Sequence, residues 1–475
     1  MTLSSVEAAD SLGALDVEHL LLPVLVQLVV IIAAARAFGA LARRLGQPAV
    51  VGEILVGLLL GPSLFGWLCP ELYAAVFRPA LPGVEQPLAD AVLPKIFTTV
   101  AQLGLIFLLF LVGLEFEFEH VKSHGRAAVL ISLAGIGLPF ALGAGLAQLV
   151  HPELEPHPKA GPVPLFGLTL FMGVALAITA IPVLGRIMME LNITRTRLGA
   201  ITITAAAVDD AVGWVLLASV AAVVKSNFDV RETLRMIGLT AAFVVFLFLA
   251  VRPVVVRYFA HSLRANGGKL SPTAMAVLFV GLFLCAIATN VIGIFAVFGA
   301  FLFGVILSDQ SELRERAAAK LHDVVAGFFV PVFFTYTGLR TDISALHGRA
   351  LWAICGGVTL AAVAGKLAGC GLAARVSGFT WKEAGIIGAM MNARGLMALV
   401  AINLGYELGV VPRSLFCVLV IMALATTALT TPLLLWLRTG TEIEGPIARS
   451  GFWGAAAEVV PDPDLAAPPP AANHQ

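Results

Sequence analysis

Long apolar runs separated by short polar segments dominate the chain, and a window of about 19 residues detects roughly thirteen of them. Each run is long enough, or nearly so, to cross a bilayer as a helix. The pattern therefore predicts an all-α polytopic membrane protein with about 13 transmembrane helices. The predicted spans lie near residues 20–42, 49–66, 94–115, 127–150, 164–189, 197–224, 234–258, 272–292, 293–308, 324–339, 350–374, 381–407 and 414–437.

Two of these runs are interrupted by residues that disfavour a continuous helix, in the fifth span at 177–182 and in the twelfth at 391–395. The two runs are seven spans apart, so they cross the membrane in opposite directions, as an inverted repeat requires. We expect repeat units at about 20–224 and 272–437, joined by a linker helix at about 234–258. The two interrupted helices should cross near the middle of the membrane, where freed backbone groups can bind ions.

Two adjacent carboxylates, Asp209 and Asp210, lie midway along the sixth apolar run. One charged side chain at the bilayer centre costs at least ~2.5 kcal/mol, so the pair needs partners, water or a bound cation. Small neighbours, such as Ala206 and Gly213, let another segment approach closely. The placement favours an ion path or a proton relay over a structural ion pair, and the spacing does not decide which aspartate is the carrier.

Lys366 lies near the middle of the eleventh run and must be paired there. Asp209 is the preferred partner, and Asp210 or a backbone carbonyl is the alternative. The two carboxylates should then titrate as one coupled site. The nine histidines lie in loops, near span ends or in the tail, so proton transfer at the membrane centre falls to the aspartates.

Other polar residues near or within the spans have both structural and functional interpretations. Thr179 and Pro182 mark either an ordinary kink or an ion-binding break. Arg394 is expected to cap a broken helix rather than to contact the cation, which it would repel. Glu53 and Glu115 lie near span ends, where they are either interfacial or part of an ion vestibule. The residues expected to supply ligands or support at the crossing are Thr179, Ala180, Pro182, Asn392 and Arg394.

Composition narrows the functional classes. With 59% hydrophobic and 13% charged residues, and a mean hydropathy of +0.95, the chain is unlike a soluble globular protein. A formal net charge of zero and the lack of a basic cluster argue against a nucleic-acid partner. The five cysteines show no metal-ligand spacing, and no GxGxxG fingerprint follows a strand. We therefore expect no cofactor and no nucleotide-binding regulatory domain.

Lysine and arginine are about twice as frequent in one set of alternate loops as in the other. The positive-inside rule then places residues 1–19 outside the cell and the C-terminus in the cytoplasm. The acidic N-terminus does not resemble a cleavable signal peptide, so the first span should stay in a cell (inner or plasma) membrane. The tail at 441–475 is rich in Pro and Ala and is expected to be disordered.

Several stretches together resemble the monovalent cation:proton antiporter-2 family, which includes bacterial sodium/proton antiporters, potassium-efflux-type transporters and plant cation/proton exchangers. The resemblance runs from about Leu21 to Leu437, and six strings in the right order make it specific. The strings are Val51-Gly52-Glu53-Ile54-Leu55-Val56-Gly57-Leu58-Leu59-Leu60-Gly61-Pro62, Phe107-Leu108-Leu109-Phe110-Leu111-Val112-Gly113-Leu114-Glu115, Ala206-Ala207-Val208-Asp209-Asp210, Phe298-Gly299-Ala300-Phe301-Leu302, Phe333-Phe334-Thr335-Tyr336-Thr337-Gly338-Leu339-Arg340 and Met391-Asn392-Ala393-Arg394-Gly395-Leu396.

The resemblance implies a sodium/proton antiporter-like fold, with a dimerisation domain and an ion-carrying core that moves like an elevator. It assigns ion and proton binding to Asp210 and charge compensation to Lys366. An aspartate at the Asp209 position resembles the electrogenic sodium/proton members, whereas the Met391–Gly395 string is closer to the plant exchangers. Ala398 stands where those exchangers often have Glu.

The sequence therefore predicts a homodimeric secondary antiporter, not an enzyme. It would exchange Na⁺, or alternatively K⁺ or Li⁺, for H⁺, with the cation held by Asp210, Asp209 and Thr179. The alternatives are a K⁺/H⁺ antiporter, an uncoupled cation channel with the same fold, and an intramembrane aspartyl protease. The last needs its two aspartates on different helices, which adjacent Asp209 and Asp210 do not provide.

Overall fold

The computed structural model describes residues 17–80, 86–114, 125–156, 161–194, 196–226, 230–293 and 295–450. All of the regular elements in these ranges are helices. Ten helical stretches of the described chain are long and apolar enough to cross a membrane, when Ala49–Leu68 and Ser311–Ala345 are each taken as one continuous stretch. The other three predicted spans are one short apolar helix and two pairs of half-helices, so the predicted fold class is confirmed.

The helices are labelled by span. In chain order they are α1 (Val17–Arg44), α2 (Ala49–Leu60), α3 (Gln86–Leu114), α4 (Gly125–Val150), α5a (Leu165–Ala177), α5b (Ile181–Glu190), α6 (Arg197–Lys225), α7 (Val230–Phe246, a π-helical turn Leu247–Val251, then Arg252–Ala265), α8 (Pro272–Ile292), α9 (Ala296–Leu307), α10 (Val330–Leu339), α11 (Gly348–Val376), α12a (Trp381–Met391), α12b (Leu396–Glu407) and α13 (Arg413–Leu437). Shorter helices outside this set are Phe65–Leu68, Pro70–Phe77, His151–Glu153, Ser311–Val324 with a π-helical turn Val325–Phe329, Ile343–Ala345 and Glu444–Arg449.

The helices form two packed groups. Helix α11 packs on α4, α12a and α13, and α6 packs on α4 and α5a. In the second group, α2 packs on α1 and α10, while α9 packs on α3 and α8. Helix α7 follows α6 along the chain and contacts α6, α8 and α9, so it joins the two groups.

Glycine pairs let helices of the second group approach backbone to backbone. A Cβ on Gly57 of α2 would lie 2.1 Å from the carbonyl oxygen of Thr335, and one on Gly338 of α10 would lie 2.3 Å from that of Ile54. No side chain fits at such distances, so the crossing of α2 and α10 requires glycine on both sides.

The N-terminus of α6, the helix that carries the aspartate pair, is capped from two directions. The Thr196 hydroxyl accepts a hydrogen bond from Gly199 N at 3.0 Å, which satisfies one of the free N–H groups of the first turn. The Glu442 carboxylate accepts another from Leu198 N at 2.5 Å. A negative charge at this end also suits the helix dipole.

The contact with Glu442 corrects the predicted boundary of the disordered tail. Residues 441–450 are ordered, with a short helix Glu444–Arg449 and two buried isoleucines, Ile443 and Ile447. Composition alone missed this segment because its apolar side chains pack on other parts of the chain. The rest of the predicted tail, 451–475, lies outside the described residues.

Candidate functional site

Asp209 and Asp210 lie in the interior of α6, with exposed fractions of 0% and 2%. Small residues at 205–207 and Gly213 flank them, and a Cβ on Gly213 would contact Ile178 of the fifth span at 3.3 Å. The small side chains therefore bring the broken segment of α5 close to α6, as the sequence predicts.

Asp209 is held by two donors from other helices. The Lys366 ammonium of α11 lies 3.1 Å from Asp209 Oδ2 and 3.3 Å from Oδ1, and both side chains are fully buried. The backbone N–H of Thr179 donates to Asp209 Oδ2 at 2.8 Å. Lys366 therefore pairs with Asp209, which is the partner that the sequence analysis prefers over Asp210 or a backbone carbonyl. A buried ion pair with this additional hydrogen bond is much costlier to break than to leave intact.

The two interrupted helices cross beside this ion pair and bond to each other. The Thr179 hydroxyl donates to the Met391 carbonyl at 2.8 Å, and Ala180 N donates to the Ala393 carbonyl at 3.0 Å. Gly395 has a φ of +127°, a conformation that side-chain-bearing residues rarely adopt, so the second break depends on glycine. Each break thus supplies partners for backbone groups that the other leaves free.

Arg394 is fully buried, and its guanidinium makes the contacts that a helix cap would make. Its guanidinium donates to the Ala175 carbonyl in the last turn of α5a at 2.7 Å and to the Ala362 carbonyl of α11 at 3.2 Å. A cation at the negative end of α5a also interacts favourably with the helix dipole.

Asn392 and Arg394 also tie the second break to α13. Asn392 Nδ2 donates to the Thr426 carbonyl at 3.1 Å, and Arg394 N donates to the Thr427 hydroxyl at 3.2 Å. The sequence analysis does not identify these threonines. Two Thr-Thr pairs in one apolar span, at 426–427 and 430–431, nevertheless indicate hydrogen-bonding groups in that helix. The Asn392 amide nitrogen thus supports the crossing through α13.

Asp210 differs from Asp209 in its surroundings. In the described part of the chain, no hydrogen-bond donor reaches Asp210 Oδ1 with acceptable geometry. The indole nitrogen of Trp214, one turn along α6, interacts with Asp210 but also lacks a partner at hydrogen-bond geometry. Asp210 therefore has a carboxylate oxygen that can still coordinate a cation, whereas both oxygens of Asp209 already accept hydrogen bonds.

The remaining predicted residues contribute less to this crossing. Pro182 occupies the second position of α5b, where its missing N–H is harmless. Glu53 is buried in α2, with its carbonyl accepting from the Thr335 hydroxyl at 3.1 Å, which places it within the second helix group. Glu115 lies outside the described residues, so its predicted vestibule role stays a prediction.

Comparisons with known proteins agree with this arrangement. A family description, "Sodium/hydrogen exchanger, transmembrane", matches residues 28–436. The chain is 37% identical over 421 residues to a protein named Na⁺/H⁺ antiporter NhaS4 from Synechocystis, covering 88% of this chain and 98% of the relative. It is 34% identical to Cation/H⁺ antiporter 20 of Arabidopsis thaliana over 86% of this chain, but it spans only 47% of that longer relative.

A solved structure shares the fold. The sodium proton antiporter MjNhaP1 from Methanocaldococcus jannaschii matches 88% of this chain and 99% of its own length, with a TM-score of 0.56 and 14% sequence identity. The likeness therefore extends over nearly the whole helical assembly at low sequence identity. On the family match and the extent of sequence identity, the chain belongs to the sodium/hydrogen exchanger family, a family of secondary transporters.

Proposed function

We propose that the protein is a monovalent cation/proton antiporter that exchanges Na⁺ for H⁺ through competition at Asp209 and Asp210. The carboxylate site holds either a partly dehydrated cation or protons, and only loaded forms cross between outward- and inward-facing states. Asp210 is the obligatory carrier. Asp209 with Lys366 sets the charge of the site, and Thr179, whose backbone N–H donates to Asp209, contributes oxygen to the cation.

The observation that carries this proposal is the asymmetry of two neighbouring buried carboxylates. Asp209 is neutralised by Lys366 at 3.1 Å and fixed by Thr179 N at 2.8 Å. Asp210 is 2% exposed and has an oxygen that no donor of the described residues satisfies. A desolvated carboxylate of this kind is stabilised either by a proton or by a cation, which is the competition that antiport needs.

The two helix groups favour an elevator-like movement of one group against the other. The aspartates, Lys366 and both breaks belong to the group built from α4–α6 and α11–α13. A cavity of about 120 Å³ lies between the groups, with Gln102 on one side and Asn403 and Glu407 on the other. The cavity extends about 10 Å along α12b, from Glu407 to Val400, in the direction of the crossing. This position suits an access path for a cation.

The choice of Na⁺ rests on the names of relatives and on two sequence features. One relative's name specifies Na⁺ and another's only a cation. Asp209 favours Na⁺, whereas the Met391–Gly395 string favours the plant exchangers, so K⁺ or Li⁺ exchange is the alternative. An uncoupled cation channel with the same site is the second alternative. The protease alternative is set aside, because both aspartates lie on one helix and the family consists of transporters.

The test is cation-dependent proton flux in proteoliposomes. Purified protein would be exposed to inward gradients of Na⁺, K⁺ or Li⁺ over a pH series, with internal pH as the readout. Na⁺-driven alkalinisation of the vesicle interior supports antiport, because entry of Na⁺ down its gradient then drives protons out. Cation entry without coupled proton movement would overturn it in favour of a channel, and a response to K⁺ alone would reassign the cation.

The same vesicles test electrogenic exchange. If two protons move per Na⁺, one net charge crosses per cycle, and a membrane potential contributes about 2.3 kcal/mol per 100 mV. A potassium–valinomycin potential imposed with Na⁺ but no pH gradient should then drive proton movement whose direction follows the sign of the potential. Proton movement that ignores the potential would contradict this stoichiometry.

We further propose a homodimer in a cell (inner or plasma) membrane, with the N-terminus outside and the C-terminus in the cytoplasm. Cys69 allows the orientation to be tested without introducing a new cysteine. It is the exposed one of the five cysteines, and the positive-inside rule places it outside. A membrane-impermeant maleimide should label Cys69 in intact cells. Labelling only after permeabilisation would reverse the orientation, and a monomer in mass photometry would contradict the dimer.

A further inference from the structure

The cavity between the two helix groups is crossed by a polar contact at its solvent-exposed end. Gln102 of α3 and Glu407 of α12b line the cavity from opposite sides, and both side chains are exposed. The Gln102 amide nitrogen donates to both carboxylate oxygens of Glu407, at 3.3 Å each. These distances are longer than those of most N–H···O hydrogen bonds, so the contact is weak. It ties α12b to the other helix group.

Two further contacts join α12b to the second group along this cavity. Asn403 Nδ2 donates to the Thr337 hydroxyl of α10 at 3.3 Å. The guanidinium of Arg340, at the end of α10, lies 5.2 Å from the centre of the Tyr406 ring. Of the three contacts, that of Glu407 is the one made by carboxylate oxygens. A cation is therefore attracted to this contact more strongly than to the other two.

The position of Glu407 is not explained by the stability of its helix. It is the last residue of α12b, where a negative charge is unfavourable beside the negative end of the helix dipole. It is also the one carboxylate among the described residues that line the cavity. Along α12b it lies about 16 Å from Leu396, next to the second break, so it is not a ligand of the buried site.

Two cations flank Glu407, and each is held by an aromatic ring. Lys225, the last residue of α6, interacts electrostatically with Glu407, and its ammonium lies 4.0 Å from the centre of the Phe295 ring. Arg340 lies over the ring of Tyr406. The two positive charges disfavour a cation elsewhere at this end of the cavity, and they moderate its attraction to the carboxylate. Such moderate attraction suits a site that a cation must both enter and leave.

We propose that Glu407 is the entry site for the transported cation and that the Gln102 amide competes with the cation for its carboxylate. This inference rests on the proposed antiport. When the amide occupies both oxygens, the two helix groups are tied together and the entry site is closed. When a cation occupies them, the tie is released. The cation binds only the fraction of molecules in which the tie is open, so its apparent affinity is reduced by that fraction.

The test is the KM for Na⁺ at each membrane face, measured as coupled proton flux in right-side-out and inverted vesicles that contain the full chain. Glu407→Gln loses the charge but can still accept a hydrogen bond from Gln102, so the KM at one face should rise about fivefold. Gln102→Leu removes the competing donor and leaves the carboxylate, so the KM at the same face should fall about twofold. Saturating Na⁺ should restore the rate of Glu407→Gln.

A double variant and two controls complete the series. The variant with both changes should behave like Glu407→Gln alone, because Gln102 acts through this carboxylate. Glu315→Gln removes an exposed carboxylate from the helix Ser311–Val324, and Thr99→Val makes an exposed position of α3 apolar outside the cavity lining. Both controls should keep the KM of the unmodified protein at both faces.

Opposite shifts of the KM by the two single variants, at one face, support the proposal. Shifts in the same direction would make the contact purely structural and would overturn it, as would equal shifts at both faces. If the unmodified protein exchanges Na⁺ for H⁺ but Glu407→Gln keeps its KM, this inference alone fails. If the unmodified protein shows no exchange of any monovalent cation, the proposed antiport fails with it.

Discussion

The two repeats build the same crossing with different chemistry. In the first, the break at Thr179 donates its backbone N–H to a carboxylate on α6, that of Asp209, at 2.8 Å. In the second, the break at Arg394 donates its backbone N–H to a hydroxyl on α13, that of Thr427, at 3.2 Å. A neutral hydroxyl is therefore sufficient to support such a break. The buried carboxylates on α6 therefore are not needed to support the break, although burying their charge is energetically unfavourable. Ion binding accounts for their presence.

The largest effect on transport is expected when a carboxylate on α6 is made neutral, like the hydroxyl on α13. Asp210→Asn keeps the side-chain shape but can neither release a proton nor offer a full negative charge. We expect coupled exchange in proteoliposomes to fall below detection, while the protein still elutes as a folded species. Asp323→Asn, the same change at an exposed surface position, is the matched control and should transport normally. Substantial coupled exchange by Asp210→Asn would remove this residue as the carrier.

Lys366→Met should have the next largest effect, on stability. Its loss leaves the Asp209 carboxylate buried without its cation, which costs about 3–5 kcal/mol for a typical buried pair. Thermal unfolding in detergent should shift strongly downwards. The double variant with Asp209→Asn should recover much of that loss, because the unpaired charge is gone. A single variant as stable as the unmodified protein would show that the pair is not needed for the fold.

Thr427→Val tests the hydroxyl side of the comparison. It removes the acceptor of the Arg394 N–H and should destabilise the protein by about 1–3 kcal/mol, since a buried donor is left unsatisfied. Cation-coupled proton flux should persist, because no charge of the site has changed. Thr430→Val is the control, since the Thr430 hydroxyl bonds only within α13 in the described contacts. Loss of coupling in Thr427→Val, with stability retained, would give the α13 side a direct role.

The smallest effect is expected at a surface ion pair. Arg78 and Asp90 are joined by hydrogen bonds outside the membrane-spanning part of α3, and those bonds hold the pKa of Asp90 below its ordinary value. The stabilisation is therefore present at neutral pH and is lost only as the pH falls through that depressed pKa. Exposed pairs contribute less than about 1 kcal/mol. The pH profile of transport in Asp90→Asn should match that of the unmodified protein between about pH 6 and 9, where Asp90 stays charged; a shifted profile would contradict this.

Much of the candidate site is predictable from the sequence alone, because the deciding features are local or follow from charge. Proline and glycine mark the breaks, and a buried Lys366 has few available counter-charges. The position of Arg394 predicts a helix cap, but the sequence does not identify its partners, the carbonyls of Ala175 and Ala362. Every residue has a backbone carbonyl, and only the tertiary structure determines which one Arg394 contacts. The role of Thr427 was hidden because most membrane hydroxyls bond within their own helix.

The central claim is that cations and protons compete at Asp210, and proton release on cation binding tests it most directly. Na⁺ would be added to purified protein in weakly buffered detergent solution at a series of pH values, with a pH indicator as the readout. The account predicts proton release by the unmodified protein and by Thr427→Val, and none by Asp210→Asn. Equal release by Asp210→Asn, or no release by a protein that exchanges Na⁺ for H⁺ in vesicles, would contradict it.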